Sequence, residues 1–223
     1  MYLKSTLYSN ANAVGAWYHG RMARRRLTRE ASRDLTRSRL LESGAVIIAR
    51  KGLTGASVED IAAHAGYTRG AFHSNFRSKA ELFIELLKRD HQDVQHGLQQ
   101  ILGAGLSPEN TKRQLQMFYS QVYRGNLSYV LWAEARLQAL RDAKFRARLS
   151  ALLLEKRDMI AYFITQFSEA MHKQPPAPAG DLAFATMALI DGMRFYNACM
   201  PGELPDANAQ AVLGTVFRAT FFD

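Results

Sequence analysis

Residues 57–79, Ser57-Val58-Glu59-Asp60-Ile61-Ala62-Ala63-His64-Ala65-Gly66-Tyr67-Thr68-Arg69-Gly70-Ala71-Phe72-His73-Ser74-Asn75-Phe76-Arg77-Ser78-Lys79, hold three helix starts and one tight turn. Ser57 is placed as an N-cap, its hydroxyl accepting from the free N–H groups of a first turn. Asp60, three residues on, completes a capping-box pair. Val58, Ile61, Ala62 and Ala65 then share one apolar face of a helix. Gly66 can take the left-handed conformation that ends it. Thr68 opens a second helix, whose first turn carries Arg69 and Gly70 and whose Phe72 and Phe76, four apart, face inward. Ser78 caps a third, with Glu81 in the reciprocal position. Two short helices joined through a glycine turn, the second free to enter a groove, form the helix-turn-helix pattern.

Charge is concentrated around this stretch. Residues 21–79 carry 13 Lys and Arg against 5 Asp and Glu, whereas residues 80–223 carry 15 of each. With Lys4, the whole net charge of +9 sits on the N-terminal third. A basic module on a neutral body points to a polyanionic partner held by one part of the molecule. A merely solubilising basic face fits less well, because the excess stops where the motif stops.

The rest of the chain reads as helix without a strand period, internal repeat or heptad. A helix is expected over 36–51, with Leu41, Ala45 and Ile48 on one face and Gly52 ending it. A long helix over 78–102 keeps Phe83, Leu87, Val94, Leu98 and Ile101 in one stripe, and at 1.5 Å per residue it spans roughly 37 Å. Further helices are expected from Pro108 to about Arg124, over 127–140, over 145–171 with Lys156 interrupting the apolar period, over 181–200, and over 206–222. The prolines of 173–180 mark a break. The fold class is all-α: a three-helix N-terminal head and a larger helical body.

Residues 1–20 lack the apolar core of a secretory signal and are expected to be disordered. Met22-Ala-Arg-Arg-Arg reads as a natural start, with the preceding segment as an over-extended reading frame. The basic run Arg24 to Arg26, with Arg29 and Arg33, is either a solvated tail or an arm that follows phosphates. No apolar run reaches membrane-spanning length. One cysteine, Cys199, excludes an internal disulfide framework and suits a reducing cytoplasm. The six histidines form no ligand pair at helical spacing, so no metal and no cofactor is expected, and no nucleophile–base spacing or phosphate loop supports an enzyme. His64 falls on the solvent side of its helix without a role, and a lone thiol at Cys199 reads as packing rather than a redox sensor.

In this order of elements the chain resembles the TetR/AcrR family of transcriptional regulators. The resemblance rests on residues 36–87, and within them on Ser57, Val58, Ile61, Ala62, Ala65, Gly66, Thr68, Gly70, Phe72, Phe76, Ser78, Lys79 and Leu82 at their present spacing. The body matches only in element order and in loose stretches such as Leu189-Ile190-Asp191-Gly192-Met193. The family usually has Tyr where this chain has His73, and often His or Tyr where it has Asn75, a departure that bears on the operator sequence and not on the fold.

The resemblance implies three domains: a basic extension over 1–33, a DNA-binding domain over 34–79, and an effector-binding and dimerisation domain over 80–223. The DNA-contact candidates are Ser57, Thr68, Arg69, Gly70, His73, Asn75 and Lys79. Thr68 stands at a helix N-terminus suited to a phosphate, Arg69 can make a bidentate contact to guanine, Gly70 permits close approach to the groove floor, one or both of His73 and Asn75 face the bases, and Lys79 is placed for a phosphate. Each has a plain alternative: Ser57 and Thr68 as caps only, Gly70 as a packing residue, Lys79 as a free surface charge.

In the body, Tyr123, Asn126, Tyr129, Trp132 and Phe163 combine apolar surfaces with hydrogen-bonding tips and are the candidate effector contacts. By residue type alone ordinary core accounts for them better; the family architecture is what argues for a cavity. The helix over 181–200 is apolar on two faces, and the last helix has more apolar surface than an end helix needs. A two-fold homodimer is expected through a four-helix bundle, with Phe184, Gly192, Phe195, Val212, Val216 and Phe217 at the interface. Asp191 and Arg194 are expected to pair with each other. The function implied is a cytoplasmic repressor that binds a palindromic double-stranded operator and is released by a small hydrophobic or aromatic molecule. The alternative is an architectural or nucleoid-type DNA binder without an effector.

Overall fold

The computed structural model describes residues 28–124, 126–170, 172–200, 202–203, 211–212 and 215; within these the side chains of 108, 116, 119–124 and 126 are not described. Eight helices and no strand occur among the described residues: α1 (Arg29–Gly55), α2 (Val58–His64), α3 (Arg69–His73), α4 (Lys79–Gly103), α5 (Pro108–Arg124), α6 (Asn126–Arg141), α7 (Ala143–Ala170) and α8 (Ala179–Cys199). By contacts, the described residues from Arg37 onward form one unit and those up to Thr36 another. The expectations for residues 1–27 and for most of the last helix fall outside the described residues.

α1 begins at Arg29 rather than Thr36. Its first two turns have no apolar stripe for periodicity to detect. Thr28 starts them instead, its Oγ1 accepting from Ala31 N at 3.1 Å. The helix breaks at Gly52, whose φ of 71° and ψ of 164° lie where a side chain is strained. Ser57 and Asp60 form both bonds of the capping box: Asp60 N donates to Ser57 Oγ (2.9 Å) and Ser57 N to Asp60 Oδ2 (3.1 Å). Thr68 Oγ1 accepts from Ala71 N at 3.3 Å. At α4 the box is offset by one residue, because Glu81 Oε2 accepts from Arg77 N (2.7 Å) while Ser78 Oγ accepts from Glu81 N (3.1 Å). Asp142 starts α7 by accepting from Lys144 N and Phe145 N.

Two apolar clusters lie along α4. The first gathers Leu40, Ile48, Ile61, Phe72 and Phe76 of the head and continues into Leu131, Trp132 and Phe145 of α6 and α7. The second joins Leu98 of α4 to Ile160, Phe163 and Ile164 of α7 and to Leu182 and Met187 of α8. The stripe of α4 therefore serves both: Phe83 and Leu87 enter the first cluster, and Leu98 the second. Burial of this kind contributes about 25 cal/mol for each Å² of apolar surface removed from water.

Candidate functional site

The helix-turn-helix is held from beneath and left open on top. Phe72 is fully buried and Phe76 nearly so, with ring centroids 5.7 Å apart. Thr68, Arg69, Gly70 and His73 all face solvent on the other side of α3. Gly66, at φ 76°, makes the turn that sets α3 against α2. Arg69 is held in reach of α2 by an ion pair with Glu59 at 2.9 Å, between two largely exposed side chains. A Cβ added at Gly70 meets only Thr68 Oγ1, at the ordinary contact distance of 3.7 Å. Packing therefore supplies no reason for a glycine there. Ser57 is half-buried, and its hydroxyl is committed to the cap. Lys51 lies 3.0 Å from Asp60; that bond, with those from Ser57, lowers the Asp60 carboxyl to about 2.

Two of the candidate contacts are tied inward. The Asn75 side chain folds back on α3, where its Nδ2 donates to Ala71 O (2.9 Å) and its Oδ1 is buried. That leaves His73 as the solvent-facing member of the pair. Lys79 Nζ donates to Leu53 O (2.8 Å) and Ala56 O (2.5 Å), and lies 3.4 Å from Thr54 O. Its ammonium thus caps the carbonyls left open where α1 breaks. Arg37, absent from the sequence candidates, has the same inward role: Nη1 donates to Asn75 O (2.7 Å), Nη2 lies 3.4 Å from Glu85, and the guanidinium sits 4.2 Å above the Phe76 ring. His64 is exposed, as its sequence reading has it, yet its ring also finds a partner. Ser43 Oγ donates to Ile61 O (2.7 Å) and stands 2.9 Å from His64 Nδ1, so the ring nitrogen is the donor there.

The body holds a charged cluster that sequence reading did not assemble. Trp132 Nε1 on α6 donates to Asp90 Oδ2 on α4 at 2.6 Å. Lys156 Nζ on α7 lies 4.9 Å from the centre of the same indole, and burial pulls its pKa below the usual lysine value. Arg194 on α8 is only 6% exposed and stacks 5.4 Å over Tyr129 of α6. Asp191 takes Arg136 of α6 as its ion-pair partner, not the Arg194 expected one turn along its own helix. His91 is buried beside Lys156 and Asp90 and is held toward its neutral form by desolvation. Of the effector candidates, Tyr129 and Trp132 adjoin this cluster, whereas Phe163 lies in the second apolar cluster. Tyr123 and Asn126 fall outside the described side chains. A groove of about 460 Å³ between α4 and α7 is a separate feature, lined evenly by Arg77, Lys88 and Arg148 against Glu81, Glu85 and Glu155.

α6 also touches the head, since Glu134 Oε1 accepts from Leu53 N at 2.8 Å. On α8, Phe184 and Phe195 are about half exposed, and nothing lies within 4 Å of a Cβ built at Gly192. Cys199 is exposed rather than packed. Val212 is 43% exposed; Val216 and Phe217 lie outside the described residues. Among the described residues no group of His, Cys, Asp and Glu is arranged to hold a metal, and no helix is long and apolar enough to cross a membrane.

A capped helix-turn-helix head on an all-helical body defines a class of DNA-binding regulator. Residues 40–86 match the sequence model of the bacterial regulatory proteins, tetR family, and the head is a DNA-binding domain of that family. The body has the same family's fold. A TetR-family transcriptional regulator from Rhodococcus sp. superposes with a TM-score of 0.71 at 19% identity, over 84% of this chain and 99% of that one. A transcriptional regulator from Saccharomonospora viridis, in complex with choline, gives 0.67 at 21% identity, over 83% and 96%. SmeT, the repressor of the Stenotrophomonas maltophilia multidrug efflux pump SmeDEF, gives 0.64 at 16% identity, over 84% and 91%; its triclosan complex gives 0.67, over 84% and 92%. No curated protein sequence matches the chain.

Proposed function

We propose that the protein is a homodimeric transcriptional repressor that occupies a palindromic operator and leaves it when a small molecule enters the helical body. The carrying observation is the two-sidedness of α3: Phe72 and Phe76 are sealed beneath it while Thr68, Arg69, Gly70 and His73 stand open above. In this reading Arg69 reads a guanine edge, Thr68 and Ser57 approach phosphates, Gly70 admits the groove floor and His73 adds a base or phosphate contact. Asn75 and Lys79 act from below, by fixing the ends of α3 and α1.

Dimerisation supports the operator reading, because two heads one helical turn apart read a palindrome. The exposed Phe184 and Phe195, with open space at Gly192, give α8 a face suited to a second copy of the chain. Structures of this fold carry ligands as unlike as choline and triclosan. The effector must therefore be read from this chain's own side chains, among which Tyr129 and Trp132 are the favoured contacts. α6 presents both to the body and Glu134 to Leu53, so a shift of α6 on ligand binding reaches the loop that ends α1. α4, common to both apolar clusters, moves with it.

The test is binding to the DNA upstream of the protein's own gene, against scrambled DNA of equal length, at two salt concentrations. The expected result is a preference that survives the higher salt and weakens by about 10- to 100-fold in Arg69→Ala, without loss of thermal stability. Equal and steeply salt-dependent binding to all sequences, with no response to any small molecule, overturns this reading in favour of an architectural DNA binder.

A further inference from the structure

Arg69 occupies the first position of α3, a place that helix electrostatics does not favour for a cation. The free N–H groups of a first turn carry partial positive charge, and no acidic residue lies in the first turn of α3 to offset it. The counter-charge comes from another helix. Glu59, in the first turn of α2, places Oε1 2.9 Å from Arg69 Nη1. Glu59 takes no part in the capping box, which Ser57 and Asp60 complete between them. The dipole of α2 accounts for an acid at this position but not for its reach to Arg69. The Arg69 and Glu59 side chains are 69% and 57% exposed, and a pair so open to water is worth little to stability. What it supplies is position.

The pair stands on the side of the head that faces DNA in the function proposed above. Thr68, Arg69, Gly70 and His73 are exposed, Glu59 is exposed as well, and its contact with Nη1 brings a carboxylate to the same surface. A lone carboxylate there would be repelled by phosphates, and a lone arginine would sample many rotamers before meeting a base. Paired, the carboxylate is neutralised, and the guanidinium has given up part of its freedom before DNA arrives. The geometry leaves the reading edge clear. Glu59 engages the guanidinium at Nη1, so the Nε and Nη2 edge retains the parallel donors that guanine O6 and N7 accept.

We propose that Glu59 is a specificity-determining residue of the head: by holding one nitrogen of the Arg69 guanidinium it aims the other edge at a guanine, and it touches no base itself. This rests on the reading of Arg69 given above and deepens it by naming the residue that orients the contact. Its removal has two opposed consequences. The head loses a negative charge, so it binds DNA of any sequence more tightly. The released Arg69 can turn to a phosphate, so it discriminates less between bases. A carboxylate that served only the dipole of α2 would, when removed, lower stability and leave discrimination alone.

The test selects duplexes from a random-sequence pool with the full-length protein and with Arg69→Ala, Glu59→Ala, Glu59→Gln and the double Ala variant. The guanine that Arg69→Ala ceases to require marks the contact. Its replacement by adenine is then measured by fluorescence anisotropy for every variant, with scrambled DNA alongside. The wild-type protein should prefer guanine at that position by about 10- to 100-fold. Glu59→Ala should lower the preference by about 3- to 10-fold, tighten binding to scrambled DNA, and melt within a few degrees of the wild type. Glu59→Gln, whose amide oxygen can still accept from Nη1, should keep more of the preference than Glu59→Ala. In the Arg69→Ala background the loss of Glu59 should change discrimination no further. A full guanine preference in Glu59→Ala overturns the proposal and leaves the reading of Arg69 standing. A further loss in the Arg69→Ala background overturns it in favour of direct base contact by Glu59. A selection without a consensus, or an Arg69→Ala protein that still requires every guanine, removes the reading of Arg69 and this proposal with it.

Discussion

The head and the body dispose of their polar side chains in opposite ways. In the head, the polar groups that turn inward close on backbone: Ser57 with Asp60, Thr68, Asn75, Ser78, Lys79 and Arg37 each complete an N–H or carbonyl that a short helix leaves open. In the body, Lys156 and Arg194 meet aromatic faces and carboxylates from other helices. Closure onto backbone fixes a geometry, which a surface that reads DNA requires. Contacts drawn from four helices tie the positions of those helices to one another, which a responsive body requires. Groups that raise stability and groups that carry response are thus separated by region, and substitutions can test that separation.

The largest effect is expected at Phe72. It is fully buried against Phe76 at the centre of the head, and Phe72→Ala should cost about 3–5 kcal/mol and abolish DNA binding, measured by urea denaturation and by titration of the operator fragment. A loss below about 1 kcal/mol, with DNA binding kept, would break the view of a rigid head. Lys79 follows. Lys79→Met removes the donor to Leu53 O and Ala56 O, and should cost about 1.5–3 kcal/mol. A phosphate-contacting lysine would instead leave the melting temperature unchanged and reduce the slope of log affinity against log salt by about one. The two readouts on one variant decide between the roles.

Lys79 also shows how far the sequence could be read. Its position at the start of α4 was evident from the Ser78 cap, but its partners are loop carbonyls 26 and 23 residues earlier, and no local pattern joins them. The caps, the turn at Gly66 and the inward Phe72 and Phe76 were legible because each is settled within a few residues by backbone geometry or helical period. The body cluster was not. Trp132 finds Asp90 at a separation of 42 residues, and Asp191 pairs with Arg136 of α6 although Arg194 stands one turn away on the same helix. The one trace in the sequence was Lys156, which interrupts the apolar period of α7. A charge inside an otherwise apolar stripe marks either an error of register or a buried site, and only the helix packing distinguishes them.

Lys156 should behave in reverse to Lys79. Its folded-state pKa is depressed by burial, so the unfolded chain binds its proton more readily than the folded one. The deficit opens as pH falls below the unfolded value near 10.4 and is complete once pH has passed the depressed folded value. Lys156→Met should therefore raise stability at pH 7, by about 1–2 kcal/mol, and the gain should shrink as pH rises toward 10. A destabilised Lys156→Met protein at every pH would mean that the ammonium is a structural partner, as in the head, and the contrast between the regions would fail.

The smallest effect is the most discriminating, because here the head is expected to behave like the body. Gly70 sits in α3 with space for a methyl group, and an exposed helical Gly→Ala change usually stabilises by about 0.5–1 kcal/mol. Gly70→Ala should raise the melting temperature by a few degrees. If α3 enters the groove by this face, the same methyl group meets the DNA, and operator affinity should fall although the protein is more stable. Gain of stability with loss of binding would place Gly70 at the DNA surface. A gain in stability with unchanged affinity would mean that the groove never approaches that residue. The reading face would then have to turn about the α3 axis toward His73, and the contact assigned to Arg69 would be the next to re-examine.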